Sequence, residues 1–276
     1  MSGGAARTVG VVGLGRMGGP MAGRLVTAGF RVTGHDPAAA PPPGVRAAGE
    51  LAELAGCDVV LVTVPGCAVP GVLTDAAGLR PCWRAATLLL CSTLDPERAR
   101  ELHGLAAAGG ARMLDAPLCR GDAAARDGTL LALVGGSAAV LAEVRDVLDA
   151  FCTDVEHVGP AGAGQAAKLV NNLLLWTEIS ATVEGLRLAE SLGVARGPLV
   201  AALRRSSAAS WVLDTWDRPR AVPWAEEDMR MVRAAASRTG VDVPVAEAVA
   251  AAIGDIAATG LLAGGGFARP GWSRPA

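Results

Sequence analysis

Three glycines near the N-terminus have the spacing that a bound dinucleotide requires. Residues 8–18 read TVGVVGLGRMG, so an apolar run leads into the pattern G-x-G-x-x-G. The first glycine permits a tight turn, the second lets a pyrophosphate approach the backbone, and the third lets a helix pack closely on a strand. The chain has 36 glycines, so the spacing alone is also compatible with a glycine-rich turn in another α/β protein. The candidate cofactor-binding residues are Gly13, Leu14, Gly15, Arg16, Met17 and Gly18.

An acidic residue follows this loop at the distance typical of a dinucleotide site. Residues 29–35 predict a second strand that leads into Asp36. A carboxylate there accepts hydrogen bonds from the adenosine ribose hydroxyls and repels the 2′-phosphate of NADP. Residues 37–45 contain no lysine or arginine that would offset this repulsion. We therefore expect NAD rather than NADP, the alternative being that Asp36 only caps a turn.

A second group of polar residues lies within a long apolar stretch. Gln165, Lys168, Asn172 and Trp176 are spaced by three, four and four residues, which places them on one face of a helix. Polar side chains in an apolar helix are costly to bury without a purpose. Lys168 is therefore a candidate proton donor beside a nicotinamide. The alternative is that its side chain extends to solvent at the start of the helix.

The elements that position these residues alternate between strands and helices over the first part of the chain. Strands are predicted at residues 58–64, 87–91, 112–115, 130–134 and 154–158. This alternation is typical of a Rossmann-type, doubly wound and mostly parallel sheet, in which ligands bind at the carboxyl ends of the strands. Val64 ends one of these strands, Pro65 and Thr93 follow strand ends, and all three are further candidate cofactor contacts.

After Gly162 the pattern changes to helix alone. Residues 164–192 predict one helix about 43 Å long, apolar around most of its circumference. Such a helix must be enclosed by other helices or by a second subunit, so we expect a homodimer. Further helices are predicted near 198–205, 224–238 and 244–259, and the tail after Gly264 is predicted to be loose. The expected domains are a dinucleotide-binding domain over 1–161 and an all-helical domain for substrate binding and dimerisation over 162–276.

Composition excludes several classes of function. The 276 residues are 51% hydrophobic and carry a net charge of −2, so the chain can bury a substantial core and has no basic surface suited to nucleic acid. Six cysteines lie scattered without C-x-x-C pairs or histidines at metal-ligand spacing, so no metal site is expected. Neither a signal peptide nor an apolar membrane-spanning stretch is recognisable. We expect a cytoplasmic protein that acts on a small molecule.

Four motifs, in order and with matching spacing, resemble the β-hydroxyacid dehydrogenases, the family of 3-hydroxyisobutyrate dehydrogenase and tartronate semialdehyde reductase. The similarity extends over nearly the whole chain and includes a helical C-terminal domain similar to that of 6-phosphogluconate dehydrogenase. The matching stretches are VGLGRMGGPMA at 12–22, CSTLDP at 91–96, DAPLCRG at 115–121 with GTL at 128–130, and GAGQAAKLVNN at 162–172.

This resemblance implies a hydride transfer between a nicotinamide and a carbonyl or alcohol carbon. Lys168 would be the general acid in reduction and the general base in oxidation. The residue matching Asn172 orients substrate in the family, and Thr93 and Asp228 also belong to the implied site. The expected activity is that of an NAD-dependent oxidoreductase acting on a small β-hydroxyacid or semialdehyde.

The chain departs from the family pattern in its substrate loop. Where the family has Val/Ile-Ser-Gly-Gly, residues 118–121 read Leu-Cys-Arg-Gly, so Cys119 replaces a serine and Arg120 a glycine beside Gly121. A catalytic nucleophile at Cys119 is disfavoured because no histidine lies near it in sequence. Glu227 replaces a lysine before Asp228, and the loop 218–223 is predicted to be shortened. Our hypothesis is that Arg120 replaces the lost cation and binds an anionic substrate group. The alternative is that Arg120 points to solvent.

Two other functions stay open on the sequence. An imine reductase has a similar fold, but those enzymes usually carry a different residue at the position of Lys168. A dinucleotide-binding protein with little catalytic activity is the other alternative, favoured by the altered substrate loop and by Glu227.

Overall fold

The computed structural model describes residues 7–74, 86–217 and 224–258. Cys82, the loop predicted to be shortened at 218–223 and the tail after Gly264 lie outside the described residues. The strands are β1 (Thr8–Val12), β2 (Arg31–His35), β3 (Arg46–Ala47), β4 (Val59–Val62), β5 (Thr87–Leu90), β6 (Arg112–Asp115), β7 (Leu118–Cys119), β8 (Leu130–Gly135) and β9 (Cys152–Gly159). The α-helices are α1 (Gly18–Thr27), α2 (Val69–Thr74), α3 (Pro96–Ala108), α4 (Gly121–Asp127), α5 (Ala138–Asp149), α6 (Ala163–Ser191), α7 (Arg196–Leu203), α8 (Trp211–Asp214), α9 (Ala225–Thr239) and α10 (Pro244–Ala258).

The strands form one sheet with the order β3-β2-β1-β4-β5-β6-β8-β7, and β9 also pairs with β8. The first six strands are parallel to one another, which confirms the predicted doubly wound, mostly parallel sheet. The strand β8 runs antiparallel to β6 and β7, a reversal that no sequence pattern indicates.

The central strands are apolar along their whole length because both faces of the sheet are covered. β4 reads VVLV and is fully buried. Its alternate residues enter separate cores: Val59 and Leu61 pack in one hydrophobic cluster, and Val60 and Val62 pack in the other. This two-sided burial explains why a continuous apolar run, rather than an alternating pattern, marks a strand here.

The carboxyl ends of four strands are level with one another. Val12 pairs with Val62, Val62 with Leu90, and Leu90 with Asp115. The segments that follow these residues therefore leave the sheet along one edge. They are the glycine loop after β1, residues 63–66, residues 91–94, and residues 116–117, which lead into the substrate loop at 118–121. This register brings the cofactor and substrate motifs of the first unit to the same edge of the sheet.

The chain divides into two compact units, residues 1–168 and 169–276, with the division inside α6. The predicted boundary near residue 161 lies just before this helix. The second unit has its own core, in which Trp176, Ile179 and Val183 of α6 are buried. None of the helices in the described ranges has the length and hydropathy needed to cross a membrane.

Candidate active site

The glycine loop connects β1 to α1, and its glycines differ in their surroundings. Gly13 has a φ of 91°, and a side chain there would press against the Thr63 carbonyl oxygen. A side chain at Gly18 would overlap the Gly13 carbonyl oxygen, whereas a Cβ at Gly15 would meet nothing within 4 Å. Gly15 and Arg16 are exposed at the tip of the loop. The loop thus combines a tight turn, a close helix contact and an open backbone surface, which suits the approach of a pyrophosphate.

Asp36 follows β2 and is tied to the same loop. One carboxylate oxygen accepts a hydrogen bond from Leu14 N at 2.7 Å, and the other accepts from Ala38 N and Ala39 N, both at 2.8 Å. Burial raises the pKa of this carboxyl, but the three backbone hydrogen bonds outweigh that effect, so the pKa of Asp36 lies below its ordinary value. The group is therefore a carboxylate at neutral pH, fixed beside the glycine loop.

Thr93 lies in a short segment whose backbone is held on several sides. Ser92 Oγ donates a hydrogen bond to Val64 O at 2.6 Å. A Cβ at Gly66 would lie 2.6 Å from Thr93 O, so this segment packs directly on the turn after Pro65. The Thr93 side chain is half-buried, and its hydroxyl forms no hydrogen bond within the described residues. Thr93, Val64 and Pro65 thus lie together at the carboxyl ends of β4 and β5.

The first turn of α6 is anchored by a buried carboxylate at the end of β6. Asp115 is fully buried, and its oxygens accept hydrogen bonds from Gly162 N at 2.8 Å and Gln165 N at 2.9 Å. His103 Nε2 donates a third hydrogen bond to it at 3.0 Å. Burial raises the pKa of Asp115, but these hydrogen bonds lower it more, with the one from His103 as the largest lowering cause. The net pKa is below its ordinary value, as expected for a carboxylate at a helix N-terminus.

Lys168 projects from α6 toward the substrate loop. Its Nζ donates a long hydrogen bond to Cys119 Sγ at 3.9 Å, and its side chain is half-buried. Cys119 itself is buried in β7. Burial raises the pKa of the Cys119 thiol above its ordinary value, although the Lys168 ammonium opposes this. Cys119 is therefore a neutral thiol at physiological pH, a state that does not favour nucleophilic catalysis.

The exposed side chain of Arg120 forms an ion pair with Asp154. Its Nη1 donates to Asp154 Oδ2 at 2.6 Å, to Thr153 Oγ1 at 2.9 Å and to Thr129 O at 3.1 Å. Its backbone φ is 84°, and among the described residues it is the only non-glycine residue with positive φ. The guanidinium therefore lies at the protein surface and is paired with Asp154 there. Binding of a substrate by Arg120 stays a prediction.

An ion pair links the glycine loop to α4, the helix that follows the substrate loop. Arg16 Nη2 lies 3.3 Å from Asp122 Oδ2, and Asp122 also pairs with Arg126 one turn along α4. Gly121, the first residue of that helix, is exposed and has a φ of 76°. The cofactor loop is therefore tied to the helix that directly follows the substrate loop.

The remaining predicted residues belong to the second unit. Asn172 is buried on α6 and accepts a hydrogen bond from Asn171 Nδ2 at 3.1 Å. Asp228, in the first turn of α9, accepts a hydrogen bond from Trp176 Nε1 at 3.0 Å. Glu227 is exposed and lies 3.8 Å from Arg230.

Three contributors were not assigned a role from the sequence. Asp115 anchors α6, Gln165 holds the segment around Thr93, and Thr63 Oγ1 donates to Gly13 O at 2.7 Å. Asp115 and Gln165 both lie inside motifs, but the hydrogen bonds that join these motifs span 47 to 73 residues, so no local pattern indicates them.

The arrangement in the first unit can bind an anionic cofactor and exchange a proton. An open glycine loop and a fixed carboxylate lie on segments that leave the same edge of the sheet, and a half-buried amine lies beside the substrate loop. In the part of the chain that the structure describes, no three His, Cys, Asp or Glu side chains lie together in a way that could hold a metal ion.

Comparisons with known proteins extend these observations. Residues 8–159 match the model described as the NAD binding domain of 6-phosphogluconate dehydrogenase, and residues 162–266 match that described as NAD-binding of NADP-dependent 3-hydroxyisobutyrate dehydrogenase. An NAD-dependent L-serine dehydrogenase from Pseudomonas aeruginosa is 37% identical over 226 residues, covering 79% of this chain and 74% of that protein.

Solved structures are similar over a larger part of the chain. The 3-hydroxyisobutyrate dehydrogenase of Mycobacterium tuberculosis, solved with L-serine, has a TM-score of 0.80 and 30% identity, covering 91% of this chain and 94% of that one. An imine reductase from Myxococcus stipitatus has a TM-score of 0.67 and 20% identity, covering 92% and 95% of the two chains; that similarity concerns the fold alone.

Proposed function

The chain belongs to the 3-hydroxyisobutyrate dehydrogenase family of NAD(P)-dependent β-hydroxyacid dehydrogenases, and from that premise we propose that it oxidises a small β-hydroxyacid, with Lys168 as the general base. L-serine and 3-hydroxyisobutyrate are the first substrates to test, because they are named for the relatives above. Both carry a hydroxyl on the β-carbon and a carboxylate.

The observation that carries this proposal is the position of the Lys168 amine. It lies 3.9 Å from Cys119 Sγ, directed at the substrate loop rather than into bulk solvent. An amine in this position is within reach of a hydroxyl group bound between the substrate loop and the segment of Thr93.

Composition adds an independent argument for proton transfer at this position. The chain contains 25 lysine and arginine residues, and Lys168 is its only lysine. Arginine keeps its proton at all physiological pH values, whereas a lysine amine can release and accept one. All the other residues of this group are arginine. The chain thus has a lysine amine only at the position where we propose acid–base chemistry.

In the proposed reaction, the glycine loop and Asp36 would hold NAD, which would supply the hydride acceptor for the hydroxyl-bearing carbon. The neutral amine of Lys168 takes the hydroxyl proton, so a C–H and an O–H bond break and a C=O bond forms. Thr93, Cys119, Gly121, Asn172 and Asp228 are the residues that we propose to orient the substrate. The product is a semialdehyde, and the reverse reaction uses the Lys168 ammonium as the acid.

We further propose a preference for NAD over NADP. The Asp36 carboxylate stays ionised at neutral pH and lies beside the glycine loop, where the 2′-phosphate of NADP would be repelled.

The test compares two substitutions of Lys168. We expect Lys168→Met to lower kcat by about two to four orders of magnitude, as for loss of a general base, without loss of NADH binding. Lys168→Arg keeps the positive charge but cannot accept the proton, so it should be impaired to a similar degree. Near wild-type turnover by Lys168→Arg would refute the base assignment and leave only an electrostatic role.

The same assays separate the other candidate functions. NADH production with β-hydroxyacids supports the dehydrogenase, and NADPH or NADH consumption with imines would support an imine reductase. Binding of NADH, measured by fluorescence, without turnover of either class would identify a dinucleotide-binding protein.

A further inference from the structure

The carboxamide of Gln165 bridges α6 to both sides of the Thr93 peptide. Gln165 Nε2 donates to Ser92 O at 2.8 Å, and Gln165 Oε1 accepts from Leu94 N at 2.8 Å. The side chain is fully buried. The partners determine which end of the carboxamide is nitrogen and which is oxygen, because the Ser92 carbonyl oxygen only accepts a hydrogen bond and the Leu94 N–H only donates one. One side chain therefore fixes the backbone immediately before and after Thr93.

This bridge connects two residues of the proposed reaction. Lys168 follows Gln165 by three residues on α6, so both side chains emerge from neighbouring turns of one helix face. Thr93 is bracketed by the two hydrogen bonds of Gln165. The buried amide thus joins the helix that carries Lys168 to the segment that carries Thr93.

The Gln165 side chain is not needed to anchor the helix itself. Asp115 already accepts hydrogen bonds from Gln165 N and from Gly162 N in the first turn of α6. Ser92 is likewise held to Val64 O by its own hydroxyl. The specific contribution of the carboxamide is to join these two separately anchored segments.

We propose that Gln165 is a positioning residue that sets the geometry between Lys168 and Thr93. This inference rests on the proposed function, in which Lys168 moves the proton and Thr93 lines the site. An amide suits the role because it presents one donor and one acceptor: leucine offers neither, and an ionised glutamate lacks the donor.

The kinetic test uses Gln165→Leu with Val144→Ala as a control. Val144 is buried in α5 and has no part in the proposed site, so its truncation lowers stability without touching the bridge. Both variants should have lowered melting temperatures. Only Gln165→Leu should lower kcat, by about 100-fold, because a misplacement of about 1 Å has effects of that size. A kcat within threefold of wild type in Gln165→Leu would overturn the proposal.

A second variant tests the donor and acceptor pattern directly. A protonated glutamate at position 165 donates to Ser92 O and accepts from Leu94 N, as the amide does, whereas the ionised form repels Ser92 O. The kcat of Gln165→Glu, relative to wild type, should therefore recover severalfold as the pH is lowered from 8 to about 5, because burial raises the pKa of such a carboxyl. Gln165→Leu should show no such recovery, and equal pH profiles for the two variants would contradict the positioning role.

The single lysine gives a readout that does not depend on turnover. Protein grown with ¹³C,¹⁵N-lysine has one labelled lysine side chain, so the ε-methylene signal reports Lys168 alone. This signal should shift in Gln165→Leu and stay in place in Val144→Ala. If the wild-type protein binds NADH but oxidises no β-hydroxyacid, the proposed function fails. The lysine signal still shows whether Gln165 controls the position of the Lys168 side chain. An unchanged signal in Gln165→Leu overturns the inference.

Discussion

The indole of Trp176 holds the carboxylate of Asp228. Trp176 Nε1, on α6, donates a hydrogen bond at 3.0 Å to Asp228 Oδ2 in the first turn of α9. The Trp176 side chain is buried, whereas Asp228 is only half-buried. A carboxylate in the first turn of a helix is also stabilised by the helix dipole. The orientation of a predicted substrate-binding residue is therefore set by an aromatic side chain from another helix.

Two substitutions separate the position of Asp228 from its charge. Trp176→Phe keeps most of the ring but removes the N–H donor, so we expect a loss of about 1 to 3 kcal/mol in the free energy of unfolding and a raised substrate KM. Asp228→Asn keeps an oxygen that accepts from the indole and removes the charge. It should cost less stability than Trp176→Phe. Urea unfolding and steady-state kinetics on both variants check this, and equal stability losses would contradict it.

The second prediction concerns Asp36 and cofactor choice. Asp36→Asn removes the negative charge beside the ribose, so the ratio of kcat/KM for NAD over NADP should fall by at least about tenfold. Asp58→Asn is the matched control. The Asp58 carboxylate also has a lowered pKa, chiefly because of hydrogen bonds from Thr8, but it lies at the amino end of β4, away from the glycine loop. The Asp58→Asn variant should therefore leave the ratio of kcat/KM for NAD over NADP unchanged.

Arg120 adopts a backbone conformation that disfavours any side chain with a Cβ. At a φ of 84°, alanine pays a steric cost that glycine does not. Arg120→Ala and Arg120→Gly both remove the guanidinium and its contact with Asp154, so their difference isolates the backbone. We expect Arg120→Gly to be more stable than Arg120→Ala by about 1 kcal/mol in chemical denaturation. Equal stabilities would show that the loop rearranges.

The same pair of variants tests whether Arg120 binds substrate. In both, the KM of an acidic substrate should rise by about tenfold if the guanidinium binds its carboxylate. Asp154→Asn removes the group that now holds the guanidinium at 2.6 Å, so the KM should fall in that variant. No change of KM in any of the three would end the substrate role of Arg120.

The parts of the structure that sequence predicts are those with a strong local signal. The glycine loop follows from spacing and the tight turn at Gly13, and α6 was predicted to within one residue at each end because its apolar pattern has no break. Strand β7 has only two residues, Leu118 and Cys119, and the alanine-rich α4 has no clear apolar period, so the sequence indicated neither element.

The contacts that organise the site depend on distant pairs of residues. Gln165 meets Ser92 across 73 positions, and Asp115 meets Gly162 across 47. All four residues lie within the recognised motifs, but the motifs do not indicate which residues contact each other. The direction of β8 was likewise unpredictable, because a strand pattern carries no information on whether its neighbour is parallel.

Asp115 should make the protein sensitive to acid. A pKa lowered by folding means that stability from the ionised group is fully present above the ordinary value of 3.8 and is lost as the pH falls through the lower folded value. Asp115→Asn should be less stable at neutral pH by about 2 kcal/mol, because buried hydrogen bonds are lost. The difference in unfolding free energy between wild type and this variant should shrink below about pH 4. A difference independent of pH would contradict the assignment.

The final prediction concerns the uncovered face of α6. Val170, Leu174 and Leu188 are 57%, 58% and 62% exposed, and their spacing places them on one side of the helix. Three large exposed aliphatic side chains on one side of the helix favour burial against a second copy, in which a two-fold axis uses the same face twice. We expect a dimer by light scattering, and Leu188→Glu should weaken it by at least about 100-fold. Leu105→Glu, at a position 46% exposed on α3, should leave the dimer intact. A monomeric wild type, or equal effects of the two substitutions, would exclude this face as the interface.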